Sequence, residues 1–184
     1  MRKAMSNKLR QAIKVLKQGG VIAFPTETVY GIGALLSQKK ALRKIYQIKN
    51  RPRSKPLQIL VANLKQAKEL GKFSPQALSF AQKHWPGPLT LVVPKTNKVP
   101  KLVTAGTNKV GLRIPAHSLT LRLLRQSGPL AATSANLSGE KPFLTPQEVE
   151  KNLPKVDYIL PGRVKLGKAS KVVDATKGFK ILRA

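Results

Sequence analysis

Val21-Ile22-Ala23-Phe24-Pro25-Thr26-Glu27-Thr28-Val29-Tyr30-Gly31-Ile32-Gly33-Ala34 is the stretch on which the fold class turns. Residues 21–24 are a short apolar run of the composition that fills a buried strand, and Pro25, with no amide proton to offer a ladder, ends it. Residues 26 to 34 then read as a Thr/Gly-rich loop. Upstream, Ser6 is placed to cap a helix running to about Lys17, with Leu9, Ile13 and Leu16 on one face and Gly19-Gly20 stopping it. Downstream, a helix of roughly 38 to 49 carries Leu42, Ile45 and Ile48 on one side. Helix, strand, loop, helix is the pattern of an α/β protein.

The rest of the chain extends that pattern. Leu57 to Ala62 is a second apolar strand, helices fit 63 to 70 and 75 to 84, and the turn Trp85-Pro86-Gly87-Pro88 leads into a strand from Leu89 to Val93. Strands at Val110 to Ile114 and Leu130 to Thr133 flank a helix near 118 to 126. Thr145-Pro146-Gln147-Glu148 has a cap, a proline at the first helical position and a glutamate three residues on, which is a helix start. Lys171 to Ala175 and Phe179 to Arg183, around Thr176-Lys177-Gly178, read as a closing hairpin. No repeat or linker divides the sequence, and strands and helices alternate without a regular βαβ rhythm. The expectation is one α/β domain over residues 1–184, with a mixed twisted sheet flanked by helices.

Composition narrows the chemistry. The chain has 184 residues, with 35 Lys+Arg against 7 Asp+Glu, a net charge of +28 and no cysteine. Disulfides, thiol nucleophiles and cysteine-ligated zinc are excluded. No run of 18 apolar residues is present to span a membrane, and the basic N-terminus lacks the apolar core of a signal peptide, so the expected compartment is the cytoplasm. Seven acids and two isolated histidines, His84 and His117, poorly supply a two-carboxylate glycosidase, a metal cage or a two-metal nuclease. Cationic donors are abundant instead, and they suit nucleotides, polyphosphates, carboxylates or RNA. So large a net charge repels itself in a compact fold, which favours a polyanionic partner, including non-specific affinity for nucleic acid.

Four polar clusters stand at strand ends, where sites are built. In residues 25–33 the hydroxyls and glycine backbone can approach a small ligand or simply cap the next helix. Gly31-Ile32-Gly33 lacks the third glycine of a dinucleotide fingerprint, and no GxxxxGK[ST] phosphate loop occurs. Lys49, Arg51, Arg53 and Lys55 alternate in a Pro-flanked segment. If that segment is extended they point the same way and can clamp a triphosphate; otherwise it is a solvated basic loop. Residues 131–139 are an apolar strand breaking into Thr133-Ser134-Ala135-Asn136, able to form an anion nest or a plain turn, and without GxSxG or a partner histidine. Arg113, in Gly111-Leu112-Arg113-Ile114-Pro115, lies between apolar neighbours, so burial demands a carboxylate or phosphate opposite it.

PTETVYGIGA at 25–34, KxR at 49–51 followed by Lys55-Pro56-Leu57, WPGPLTLV at 85–92, GLRIP at 111–115 and SxN at 134–136 occur in this order. In these motifs the chain resembles the YrdC-like family, the L-threonylcarbamoyladenylate synthases, over about residues 10–183. The resemblance implies a mixed sheet curved around a large, positively charged concave cavity. It implies the reaction of L-threonine, bicarbonate and ATP to L-threonylcarbamoyl-AMP and pyrophosphate, with magnesium accompanying the ATP and no dedicated protein metal site. A separate machinery then transfers the threonylcarbamoyl group to adenosine 37 of tRNAs reading ANN codons. Lys49, Arg51, Ser134 and Asn136 match the family's catalytic tetrad. Thr28, Arg113 and Ser170 match substrate-binding positions, although Ser170 stands in Ala169-Ser170-Lys171 where the family pattern has Pro-Ser-Thr. Arg51, Lys55, Ser134, Asn136 and Arg183 match nucleotide contacts. The chain stops just after Ile181-Leu182-Arg183, which resembles the short form of the family.

The residues fit that chemistry. All three substrates are anions or carry a carboxylate, so fixed cations lower the first barrier and no protein nucleophile is required. The competing expectation is a protein that grips tRNA or double-stranded RNA without catalysis, supported by the charge but poor in stacking aromatics. A third is a carbamoyl-transfer module of the kind found in larger hydrogenase-maturation proteins, and the short chain argues against it.

Overall fold

The computed structural model describes residues 2–184. Its elements are, in chain order, α1 (Arg2–Lys17), β1 (Ile22–Pro25), β2 (Tyr30–Leu35), α2 (Lys39–Ile48), β3 (Gln58–Leu60), α3 (Leu64–Leu70), α4 (Pro75–His84), β4 (Leu89–Pro94), β5 (Lys109–Arg113), α5 (Ser118–Ser127), β6 (Leu130–Ser134), α6 (Pro146–Asn152), β7 (Tyr158–Ile159), β8 (Lys171–Asp174) and β9 (Lys180–Arg183). All nine strands join one sheet in the order β7-β1-β2-β6-β3-β5-β4-β8-β9. The pairs β1/β7, β3/β5 and β4/β8 are parallel and the others antiparallel, so the sheet is mixed, as the sequence predicts.

Two expectations fail locally. Ser6 does not cap α1, which begins at Arg2: the residues upstream of Ser6 are helix formers with no breaker among them, so the helix runs through. The segment 26 to 34 is a loop only to Val29, because Tyr30–Leu35 is a full strand paired with β1 and β6. Its two glycines serve close packing rather than a turn. The Phe24 ring lies against both, and a Cβ on Gly33 would stand 2.9 Å from the Ala131 carbonyl oxygen. The helix start at Thr145 has both halves of its capping box, and β8 and β9 form the expected hairpin.

Strand alternation sorts the core into two layers. Ala23, Ile32, Ile59, Leu91 and Leu112 point to the face covered by α2, α3 and α4. Ile22, Phe24, Leu60, Leu130 and Ala132 point to the opposite face, where they meet Leu9, Ile13 and Leu16 of α1 and Leu119, Leu123 and Leu124 of α5. These two helices pack on each other and on β1. The same face over β3, β5, β4 and β8 carries a cavity instead.

Candidate active site

The cavity has a volume of ≈590 Å³, within the range of small-molecule sites. Its floor consists of alternate residues from adjacent strands: Ser134 of β6, Gln58 of β3, Gly111 and Arg113 of β5, Thr90 of β4 and Asp174 of β8. Arg51 and Lys55 enter from the loop after α2, Thr26 and Thr28 from the loop between β1 and β2, and Ser170 and Arg183 from the last hairpin. Five Lys or Arg side chains line it (Arg51, Lys55, Lys109, Arg113 and Arg183) against a single carboxylate, Asp174, which Lys109 engages at 2.7 Å.

Arg113 is 2% exposed, and the carboxylate that its burial demands is Glu27. Nη2 donates to Glu27 Oε1 at 2.7 Å and to Thr28 Oγ1 at 3.0 Å, while Nε donates to the Gly87 carbonyl at 3.1 Å. Glu27 Oε2 is buried without a partner. Glu27 stands in the first motif, but nothing in its neighbours assigns it a role. The signal that finds it is the need of Arg113 for a counter-charge in a chain with seven acids. The Thr26 hydroxyl donates to the Val29 carbonyl at 2.6 Å, so in its 2.7 Å contact with Thr28 the proton comes from Thr28. Thr28 Oγ1 therefore offers the cavity only acceptor capacity.

Lys49 is not where an anion clamp would have it. It is 1% exposed, and Nζ donates to the Ser134 carbonyl at 2.6 Å, the Asn136 carbonyl at 2.5 Å and Asn136 Oδ1 at 2.9 Å. Burial, followed by the nearby Arg51 charge, brings its pKa down to about 7. Its three donors are taken by protein oxygens, so Lys49 and Asn136 stand behind the wall and brace it, while Ser134, whose hydroxyl donates to Asn136 Oδ1 at 2.6 Å, faces the cavity. The four basic residues do not project to one side. Asn50, at φ 48°, ends α2, and a turn from Pro52 to Lys55 folds the segment, so Lys49 points inward, Arg51 and Lys55 line the cavity and Arg53 is exposed outside it. Arg51 is anchored by donation to the Lys55 and Pro56 carbonyls. Nor do residues 131–139 form an open nest: the Ala135 and Ser138 amides already donate to the Tyr30 and Lys49 carbonyls.

Arg183 donates from Nε and Nη2 to the Ser170 carbonyl at 2.9 and 2.7 Å. Burial, then the charges of Arg113 and Arg51, lowers its pKa, which places three guanidiniums within mutual influence. A guanidinium does not deprotonate in response, so an anion bound among the three would relieve the repulsion. Gln58 and Thr90 also belong to this site and escape the sequence reading; the one signal is an amide inside the otherwise apolar run 57–62.

Residues 14–184 match the Sua5/YciO/YrdC family, whose description is "Telomere recombination". A threonylcarbamoyl-AMP synthase of Pyrococcus abyssi is 40% identical over 174 residues, covering 92% of this chain and 51% of that protein. One of Vibrio parahaemolyticus is 36% identical over 179 residues, covering 94% of this chain and 96% of that protein. The chain thus spans about half the length of the Pyrococcus relative and the whole of the Vibrio one, within a few per cent. Among solved structures, P. abyssi Sua5 complexed with L-threonine superposes with a TM-score of 0.90 at 38% identity, covering 95% of this chain and 53% of that one.

Proposed function

The chain belongs to the Sua5/YciO/YrdC family, and from its cavity we propose that it is a threonylcarbamoyl-AMP synthase, a nucleotidyltransferase acting on ATP, L-threonine and bicarbonate. The observation that carries this reading is the convergence of Arg51, Arg113 and Arg183 on a cavity whose described lining holds no histidine, cysteine or uncommitted carboxylate. Such a wall binds anions and stabilises charge, but its described lining offers no thiol or imidazole nucleophile and no free carboxylate as a base. The reaction needs no protein nucleophile. The threonine amine adds to the bicarbonate carbon with loss of water, and an oxygen of the resulting carbamate attacks the α-phosphorus, expelling pyrophosphate. The work left to the protein is to hold three anions together in a fixed geometry against their repulsion.

In this reading the Arg113 Nη1 edge, with no acceptor among the described residues, takes a carboxylate or phosphate oxygen, and Thr28 Oγ1 accepts from an ammonium or hydroxyl. Arg51, Lys55 and Arg183 meet the phosphates, and Ser134 meets the nucleotide from the opposite wall. Magnesium would enter with the triphosphate, whose phosphate oxygens would supply its ligands. Among the described residues no helix is long and apolar enough to cross a membrane, and we assign the protein to the cytoplasm. Its product would pass to a separate transfer machinery acting on tRNA. The +28 charge is consistent with RNA affinity alongside catalysis.

The test is pyrophosphate release from ATP, with L-threonine and bicarbonate each present or omitted, and mass detection of threonylcarbamoyl-AMP. Release that requires both substrates is expected. No release under any condition, together with tight salt-sensitive tRNA binding, would move the reading to an RNA-binding protein.

A further inference from the structure

Gln58 and Thr90 lie on strands that do not touch, because β5 runs between β3 and β4. Where β5 passes them it carries Gly111, and a Cβ there would stand 3.0 Å from Thr90 Cγ2 and 3.7 Å from Gln58 Cβ. Across this gap Thr90 Oγ1 donates to Gln58 Oε1 at 2.6 Å. Thr90 Oγ1 is also 2.9 Å from Ser170 Oγ, which in turn accepts from Arg183 Nη2 at 3.2 Å. A hydroxyl has one proton to give. That of Thr90 goes to Gln58, so that of Ser170 goes to Thr90, and the chain runs in one direction from Arg183 through Ser170 and Thr90 to Gln58. Thr90 and Ser170 are 2% and 1% exposed, so their hydroxyls are committed mainly to each other and to these partners.

Every side-chain hydrogen bond of Arg183 among the described residues goes to Ser170, two to its carbonyl at 2.9 and 2.7 Å and one to its hydroxyl at 3.2 Å, so the aim of the guanidinium depends on how Ser170 is held. Arg183 sits on β9, the outermost strand of the sheet, whose four residues are all exposed, and Arg113 and Arg51 repel it. A long cation so placed swings to solvent unless it is tethered, and its tether is Ser170. We propose that Gln58 and Thr90 are positioning residues for the phosphates of ATP: their hydrogen-bond chain fixes Ser170, and thereby aims the Arg183 guanidinium into the cavity before the nucleotide arrives. The inference rests on the reading of the cavity as a nucleotide site, not on the identity of the acceptor. Ordering a long side chain in advance removes a cost that binding would otherwise carry.

The experiment is calorimetric binding of MgATP to the wild type, Thr90→Val, Thr90→Ser, Gln58→Leu, Arg183→Ala and the double variant Thr90→Val/Arg183→Ala, each checked by thermal melting. Thr90→Val and Gln58→Leu should each weaken ATP binding about tenfold, the order of one lost hydrogen bond to a charged group, and Thr90→Ser should restore it. The double variant should bind no more weakly than Arg183→Ala alone, since the relay acts only through Arg183. Wild-type affinity in Thr90→Val, or losses that add in full to that of Arg183→Ala, would overturn the proposal. If Thr90→Val fails to fold, Gln58→Leu, at a cavity-lining position, distinguishes the same two outcomes when combined with Arg183→Ala. ATP binding without pyrophosphate release would remove the proposed reaction and leave the relay standing; absence of ATP binding in the wild type would overturn both.

Discussion

Replacing Glu27 with Ala should be among the most damaging single changes in this protein outside the apolar core. The Glu27 and Arg113 side chains are 5% and 3% exposed and 2.7 Å apart, so removal of the carboxylate leaves a guanidinium buried without its counter-ion. Breaking a buried pair from one side costs about 3–5 kcal/mol. For a chain of this length each kcal/mol moves the melting temperature by roughly 2–4 °C, so Glu27→Ala should melt about 6–20 °C below wild type. Glu27→Gln keeps the shape and one acceptor for Nη2 and loses only the charge assistance, about 1–2 kcal/mol. Two further measurements separate the ion pair from simple cavity formation. Pyrophosphate should raise the melting temperature of Glu27→Ala more than that of wild type, because an uncompensated Arg113 supplies an additional anion contact. The double replacement Glu27→Leu/Arg113→Met should recover much of the lost stability while abolishing activity, since no charge is left stranded. Differential scanning calorimetry at pH 7 and low salt is the assay. A Glu27→Ala protein melting within about 2 °C of wild type would refute the assignment of the pair.

Three further outcomes follow from the geometry. Lys49 is brought down to about 7 by burial and Arg51, so between pH 7 and its ordinary range the unfolded chain binds a proton that the folded chain does not, and stability rises with pH there; urea unfolding at pH 7 and 9 should show wild type gaining up to about 1.4 kcal/mol per pH unit on Lys49→Met, and a flat difference would be inconsistent with it. His117 caps α5 as an acceptor, taking the Thr120 amide on Nδ1 while Nε2–H faces the Arg163 carbonyl, and burial lowers its pKa. Its protonation removes the cap, so stability should fall as pH drops through the imidazole range, and His117→Asn, a strong capping residue, should flatten that fall in melts between pH 7 and 5. Arg51→Ala should reduce kcat/KM for ATP at least tenfold, given about 1.5–3 kcal/mol for a hydrogen bond to a charged group, with melting nearly unchanged because Arg51 donates only to two carbonyls at the surface. Near-wild-type turnover would exclude it from the nucleotide site.

Much of this protein is legible one segment at a time. The apolar runs at 21–24 and 89–93, the cap at Thr145 and the stop at Gly19-Gly20 depend on neighbours within a few residues, and there the sequence reading and the structure agree. The need of Arg113 for a counter-charge is equally local, since it follows from an arginine between buried neighbours. What the sequence by itself determined is therefore the kind and order of most elements, β2 and β7 excepted, the α/β class, the absence of a thiol nucleophile and the family motifs. Only the tertiary structure decided which half of one sheet face is covered by α1 and α5 and which is left as a cavity, because strand order brings together residues far apart in the chain. It turned Lys49 away from the cavity, onto the Ser134 and Asn136 carbonyls and Asn136 Oδ1, more than 80 residues along the chain. It identified Glu27 as the partner of Arg113, 86 residues distant. It also joined Gln58, Thr90, Ser170 and Arg183 across a glycine on an intervening strand. Alternation says which residues of a strand share a face; which strands stand side by side, and so which side chains meet, is set by the packing of the whole sheet.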